Sequence, residues 1–179
     1  MNKVNYLTFS GVAMSLAGIF VLLSENIGIG LAKNLVLLMF GIGGLFALLF
    51  SGANKHYKLA RQYYLLLGIG RIICAFLIGA TPDSLDGFLK NITYFMGMFG
   101  FIELLSGFSA LNSNEKINKG VLYFRFFTGF SNLIGAVLIL ATSITNQING
   151  LFIAGSLVLL GGIVAILFSY KVRKVNLDI

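Results

Sequence analysis

Apolar residues do not alternate with polar ones in this chain. They come in six long runs separated by short polar segments, at about 7–24, 31–50, 63–81, 91–111, 121–142 and 149–169. Each run is near the roughly 20 residues that a helix needs to cross the hydrocarbon core of a bilayer. In lipid a backbone must satisfy its own hydrogen bonds, so such runs predict helices. The pattern therefore predicts an all-α fold, an integral membrane bundle of six transmembrane helices arranged as three hairpin repeats. The hairpins cover about 7–51, 63–108 and 121–169 within a single transmembrane domain, 1–179. Connections of about 6–12 residues leave no room for a soluble domain between spans. No small-x-small cleavage site follows at "VLLSEN", so the first run reads as an uncleaved span.

Composition agrees with the pattern. The chain is 58% hydrophobic and only 11% charged, where a soluble domain is about 45–50% apolar and about 25% charged. The net charge of +7 sits in the short links, with no basic domain that could follow a phosphate backbone, which argues against a nucleic-acid partner. The charges read instead as topology signals. If the spans alternate, Lys3, Lys55, Lys58, Arg61, Lys116, Lys119, Lys171, Arg173 and Lys174 share one side. Only Lys33 and Lys90 fall on the other, with Glu25, Asp83 and Asp86. The excess of basic residues predicts that both termini are cytoplasmic. Tyr6, Tyr57, Tyr63, Tyr64, Tyr123 and Tyr170 fall at the same boundary, as an aromatic belt, and Arg125 lies one turn inside it, within snorkelling reach.

Glycine gives the runs a further order. Residues 11–51 align with 68–108 at an offset of 57, and those with 129–169 at an offset of 61. Gly11, Gly68 and Gly129 then coincide, as do Gly43, Gly100 and Gly161, and Ser24, Thr81 and Thr142. These repeats run parallel, unlike the inverted repeats common in alternating-access carriers. Gly43 with Ala47, and Gly161 with Ala165, form small-xxx-small pairs that let helices approach closely. Gly97, Gly100 and Gly107 form a similar face. Such faces also predict a homo-oligomer as one partner state beside the lipid bilayer.

Against this background two charges stand out. Arg71, in "LGIGRIICAFLIGATP", and Glu103, in "GFIELLSG", each lie eight residues from the same boundary on two successive spans. At 1.5 Å per residue both sit roughly 12 Å deep, where an unpaired charge is expensive. The repeat adds Asn132 at the position equivalent to Arg71. Arg71, Glu103 and Asn132 are therefore the candidate intramembrane polar cluster. Two readings stay open: a structural ion pair that fixes helix register, or a proton-accepting or ion-sensing Glu103 tuned by Arg71.

Other chemistry finds little support. His56 is the single histidine and lies in the basic "NKHYK" link. With no second histidine and no H-E-x-x-H helix there is no zinc-hydrolase site. Cys74 is alone, so no internal disulfide forms, and it reads as a packing residue. Asp83 and Asp86 follow Pro82 in a turn, which reads as a solvated loop before a cation site. No catalytic, cofactor-binding or metal residue is assigned, no cofactor is expected, and the chain reads as a non-enzyme.

The six short spans, the three glycine-anchored hairpins, "LIGATP" closing an odd helix and "FGFIELLSG" in the returning one resemble the HdeD-type acid-resistance membrane proteins. The likeness covers about residues 7–170, and is most specific at Ala80-Thr81-Pro82 and in the Gly100-x-x-Glu103 run. It implies a multi-pass protein of the bacterial cytoplasmic (inner) membrane that supports acid or general stress tolerance by a non-enzymatic route. The alternative is a small channel or transporter using the Arg71, Glu103 and Asn132 cluster.

Overall fold

The computed structural model describes residues 3–54, 58–113, 119–142 and 147–175. Of the residues singled out by sequence, Lys55, His56, Tyr57 and Lys116 lie outside the described residues. So do the side chains of Lys3, Thr142, Lys171, Arg173 and Lys174. Among the described residues seven helices follow one another: α1 (Lys3–Leu22), α2 (Ser24–Ile27), α3 (Ile29–Ala53), α4 (Lys58–Ala80), α5 (Leu85–Leu111), α6 (Lys119–Thr142) and α7 (Gln147–Val175). All but the short α2 are long and apolar enough to cross a membrane. The chain is thus a multi-pass membrane bundle, with no strand among the described residues.

The six predicted spans match the six long helices, and the helices run a turn or more past the apolar stretches at several ends. α4 begins at Lys58 and α5 at Leu85, since a helix can continue through the interfacial zone beyond the hydrocarbon core. Local chemistry sets the breaks. Gly28 takes φ 87°, the single left-handed backbone among the described residues, and separates α2 from α3. Ser84 caps α5 by accepting a hydrogen bond from the Gly87 N–H at 3.2 Å.

The long helices close into a ring in chain order, with α1 packed on both α3 and α7. α1 and α7 are antiparallel. The hydroxyls of Thr8 and Ser169 lie 2.8 Å apart near one end, and Gly155 meets Leu22 near the other. α1 therefore begins at the end where α7 finishes, here called the basic end. Three crossings bring two glycines face to face. A Cβ on Gly44 would lie 2.9 Å from the Gly68 carbonyl oxygen, one on Gly100 2.7 Å from that of Gly129, and one on Gly162 2.8 Å from that of Gly11. Each crossing joins the second helix of one predicted hairpin to the first helix of another. Of the glycines aligned in sequence, Gly11, Gly68, Gly129 and Gly100 lie at these crossings, and Gly43 and Gly161 do not. Gly43 faces Ala13 and Met14 on α1, and Gly161 meets only Phe99 at 3.9 Å, while their neighbours Gly44 and Gly162 make the crossings.

The two ends of the ring differ. Toward the far end the interior is a dry core of Val21, Val36, Phe40, Ile78, Ile92 and Ile139, all 1% exposed or less. Phe40 and Phe95 close its middle, edge to face at 4.3 Å between centroids. The outside is apolar as well, with Phe76, Phe127 and Phe152 each more than two-thirds exposed. Such a surface is stable against lipid and would be a liability in water.

A polar cavity in the basic half

The interior of the basic half is open where the far half is solid. A cavity of about 320 Å³ lies among α1, α4, α5, α6 and α7. It reaches from Gly120, in the first turn of α6, to Arg71, Phe99 and Gly161 near mid-depth. Contact between α6 and α7 is sparse compared with the glycine crossings, and the cavity occupies the space that these two helices leave. Much of its wall is apolar, and its polar groups gather on one side.

α4 builds that side. Tyr63, Leu67 and Arg71 recur every four residues, so one stripe of the helix faces the cavity. Arg71 is 2% exposed. Its Nη1 donates to Ser10 Oγ at 2.6 Å and, at 3.4 Å, to the Gly43 carbonyl, and Ser10 Oγ itself donates to that carbonyl at 2.9 Å. Glu103 is 5% exposed on α5, and its Oε1 accepts a hydrogen bond from the Tyr63 hydroxyl. From α6, the Arg125 guanidinium covers the Tyr63 ring at 4.0 Å from its centroid and donates from Nη1 to Ser106 Oγ. Tyr64 stands edge-on to both Tyr63 and Phe50, at 4.7 Å in each case, and holds the tyrosine pair against the α3 wall.

Arg71 and Glu103, expected to pair, share a cavity and not a partner. Both are buried and both line the cavity, but no ion pair joins them. The only ion pairs among the described residues are Lys33–Asp83 and Lys90–Asp86. The reason is lateral: Ser10 and the Gly43 carbonyl hold the guanidinium on the α1–α3 side, while Tyr63 holds the carboxylate. Asn132 is buried, but its amide donates to the Thr128 carbonyl one turn back at 2.8 Å. It meets Arg71 only across a second void of about 10 Å³. The predicted cluster is thus two adjoining sites with Arg71 between them.

Three predicted boundary residues belong to this site instead. Tyr63 and Tyr64 are 8% and 6% exposed and sit inside the bundle, not in an aromatic belt. Arg125 turns inward to Tyr63 and Ser106 instead of snorkelling. The stripe shared by Tyr63 and Arg71 was the available signal. Tyr123 and Tyr170 do face outward, at 73% and 70% exposure. Ser10, an ordinary residue in an apolar run, carried no signal.

At the far end the loop charges are tied down. Lys33 is 7% exposed, pairs with Asp83 at 2.5 Å and donates to the Thr81 carbonyl at 2.7 Å. Asp86 pairs with Lys90 at 2.7 Å, one turn along α5. The Asn91 amide holds Thr81 Oγ1 at 2.9 Å. No group of three potential metal ligands occurs among the described residues. Cys74 is buried and unpaired, as a packing residue would be. The chain matches no family model, no curated protein and no solved structure.

Proposed function

We propose that this protein binds a small solute in the basic-half cavity and passes it across the membrane, as a small transporter or channel seen with its site reachable from the basic end. One observation carries the reading: a cavity of about 320 Å³ inside a membrane bundle, lined by Arg71, Arg125, Glu103 and two tyrosines, with a dry core beyond it. A bundle needing only stability gains little from buried charges, which cost more than apolar packing of the same volume. Charges facing a cavity are the usual mark of a solute or ion path.

The positive-inside pattern supports placing the basic end in the cytoplasm, so the site opens inward. The three glycine crossings support a triplicated hairpin plan. The cellular role we attach is the one implied by the HdeD-type resemblance, acid or general stress tolerance in a bacterial inner membrane. Loss of acid survival on deletion, restored by the wild-type chain and not by Glu103→Gln, is the expected outcome in cells.

Cysteine accessibility tests the molecular reading directly. In a Cys74→Ser background, Ala165→Cys places a thiol on the cavity wall and Ala154→Cys one in the dry core. A membrane-impermeant maleimide should label Ala165→Cys in inside-out vesicles, leave it untouched in right-side-out vesicles, and spare Ala154→Cys in both. Equal silence at both positions in both orientations would sink the proposal.

A further inference from the structure

The cavity holds a cation without a counter-ion. Arg71 is buried to 2% exposure, yet both hydrogen bonds of its guanidinium leave from Nη1 and end on neutral acceptors, Ser10 Oγ and the Gly43 carbonyl. Its Nε–H has no hydrogen-bond partner among the described residues. Among the described residues no carboxylate lies within ion-pair distance. A buried guanidinium is normally matched by an anion, and the Nε edge of its planar fork is suited to receiving a carboxylate through two parallel hydrogen bonds.

The rest of the wall decides what kind of anion. Arg71 and Arg125 against Glu103 give the lining two positive charges and one negative. Leu67, Phe99, Val164 and Phe168 offer apolar surface beside them. Apolar walls gain nothing from a small hydrated ion, but they favour an apolar body attached to the charge. We infer that the cavity takes a small organic monocarboxylate, its carboxylate on Arg71 and its apolar body against α5 and α7. The inference rests on the solute-binding reading above and adds the chemical class.

A lipid headgroup could bring an anionic phosphate to the same guanidinium, so the test separates the two sources. Purified protein in phosphatidylcholine nanodiscs is titrated calorimetrically with benzoate, with its neutral isostere benzamide and with the cation benzylamine. Benzoate should bind at least tenfold more tightly than either analogue. Arg71→Gln should abolish that preference. Ala165→Phe, which fills the cavity and leaves Arg71 in place, should weaken benzoate at least tenfold even if Arg71→Gln fails to fold. Benzamide binding as well as benzoate would overturn the inference, as would a preference for benzylamine or no binding of any of the three. A tenfold loss of benzoate affinity in nanodiscs containing one-fifth phosphatidylglycerol would assign the site to a headgroup and also overturn it. Labelling of Ala165→Cys decides the solute-binding reading independently, whatever these titrations give.

Discussion

Replacing Tyr63 by phenylalanine removes one hydroxyl and leaves a buried carboxylate with no partner. Among the described residues Glu103 Oε2 already lacks one, and Oε1 has only the Tyr63 hydroxyl. A buried polar group stripped of its hydrogen bond costs about 1–3 kcal/mol, more when charged. Tyr63→Phe should therefore lower unfolding stability in detergent by at least that much. Glu103→Leu in the same chain should return most of the loss, because the stranded acceptor goes with it. A double-mutant cycle followed by denaturant titration reads the coupling, and additive losses would show that the two residues do not act together. Arg71 is held differently: its bonds reach α1 and α3, so it should show little coupling to Tyr63→Phe.

Among the elements, two adjacent glycines on α7 make opposite predictions. A Cβ on Gly162 would run into the Ser15 backbone nitrogen and lie 2.8 Å from the Gly11 carbonyl oxygen, and neither backbone atom can yield without parting α1 from α7. A Cβ on Gly161 would meet only a Phe99 ring carbon at 3.9 Å. Gly162→Ala should cost about 1–3 kcal/mol from overpacking. Gly161→Ala should be neutral or stabilising by up to about 1 kcal/mol, as alanine is the better helix former. Thermal unfolding of the two variants side by side checks the contrast. Equal effects would mean that α1 and α7 do not cross at this register.

The same pair shows how far the sequence could be read. Six apolar runs bounded by Lys, Ser and Gly announced six helices because lipid allows a run of that length little else. Depth was equally legible: counting residues from a boundary put Arg71 and Glu103 at one level. Direction around a helix axis was harder. A single residue turns the side chain by about 100°, so the small-residue pairs read from sequence fell on Gly161 and Gly43, while the close crossings use their neighbours Gly162 and Gly44. Neighbours distant in sequence were not legible at all. Nothing local told Ser10 that it would meet Arg71, or told Arg125 that a buried Tyr63 would offer its ring.

In the whole molecule the asymmetry between ends is the main property. The basic half holds the cavity and the far half is closed by packing and by Lys33, which reaches from α3 to the 81–84 turn that joins α4 to α5. Most of the ammonium's worth lies in its hydrogen bond to the Thr81 carbonyl of that turn, since Asp83 is itself 62% exposed and exposed pairs contribute little. Lys33→Met should keep the apolar stem and lose the tie. Backbone amides at 83–88 should then exchange with deuterium at least several-fold faster, while those at 67–78 keep their wild-type rates. Unchanged exchange at 83–88 would mean that apolar packing alone closes the far end.

The crossing of α1 with α7 also bears on how the chain is made. Thr8 and Ser169 are 161 residues apart yet share a hydrogen bond, so the ring's closing seam joins the earliest-made of the six long helices to the latest-made of them. Until α7 enters the bilayer, the face of α1 that carries Gly11 and Gly18 has only lipid, or a chaperone, to cover it. The ring closes at that seam once α7 has been made, and a nascent chain halted before α7 is an open arc with α1 at its exposed edge. Any quality-control factor that surveys this bundle would find its signal on α1.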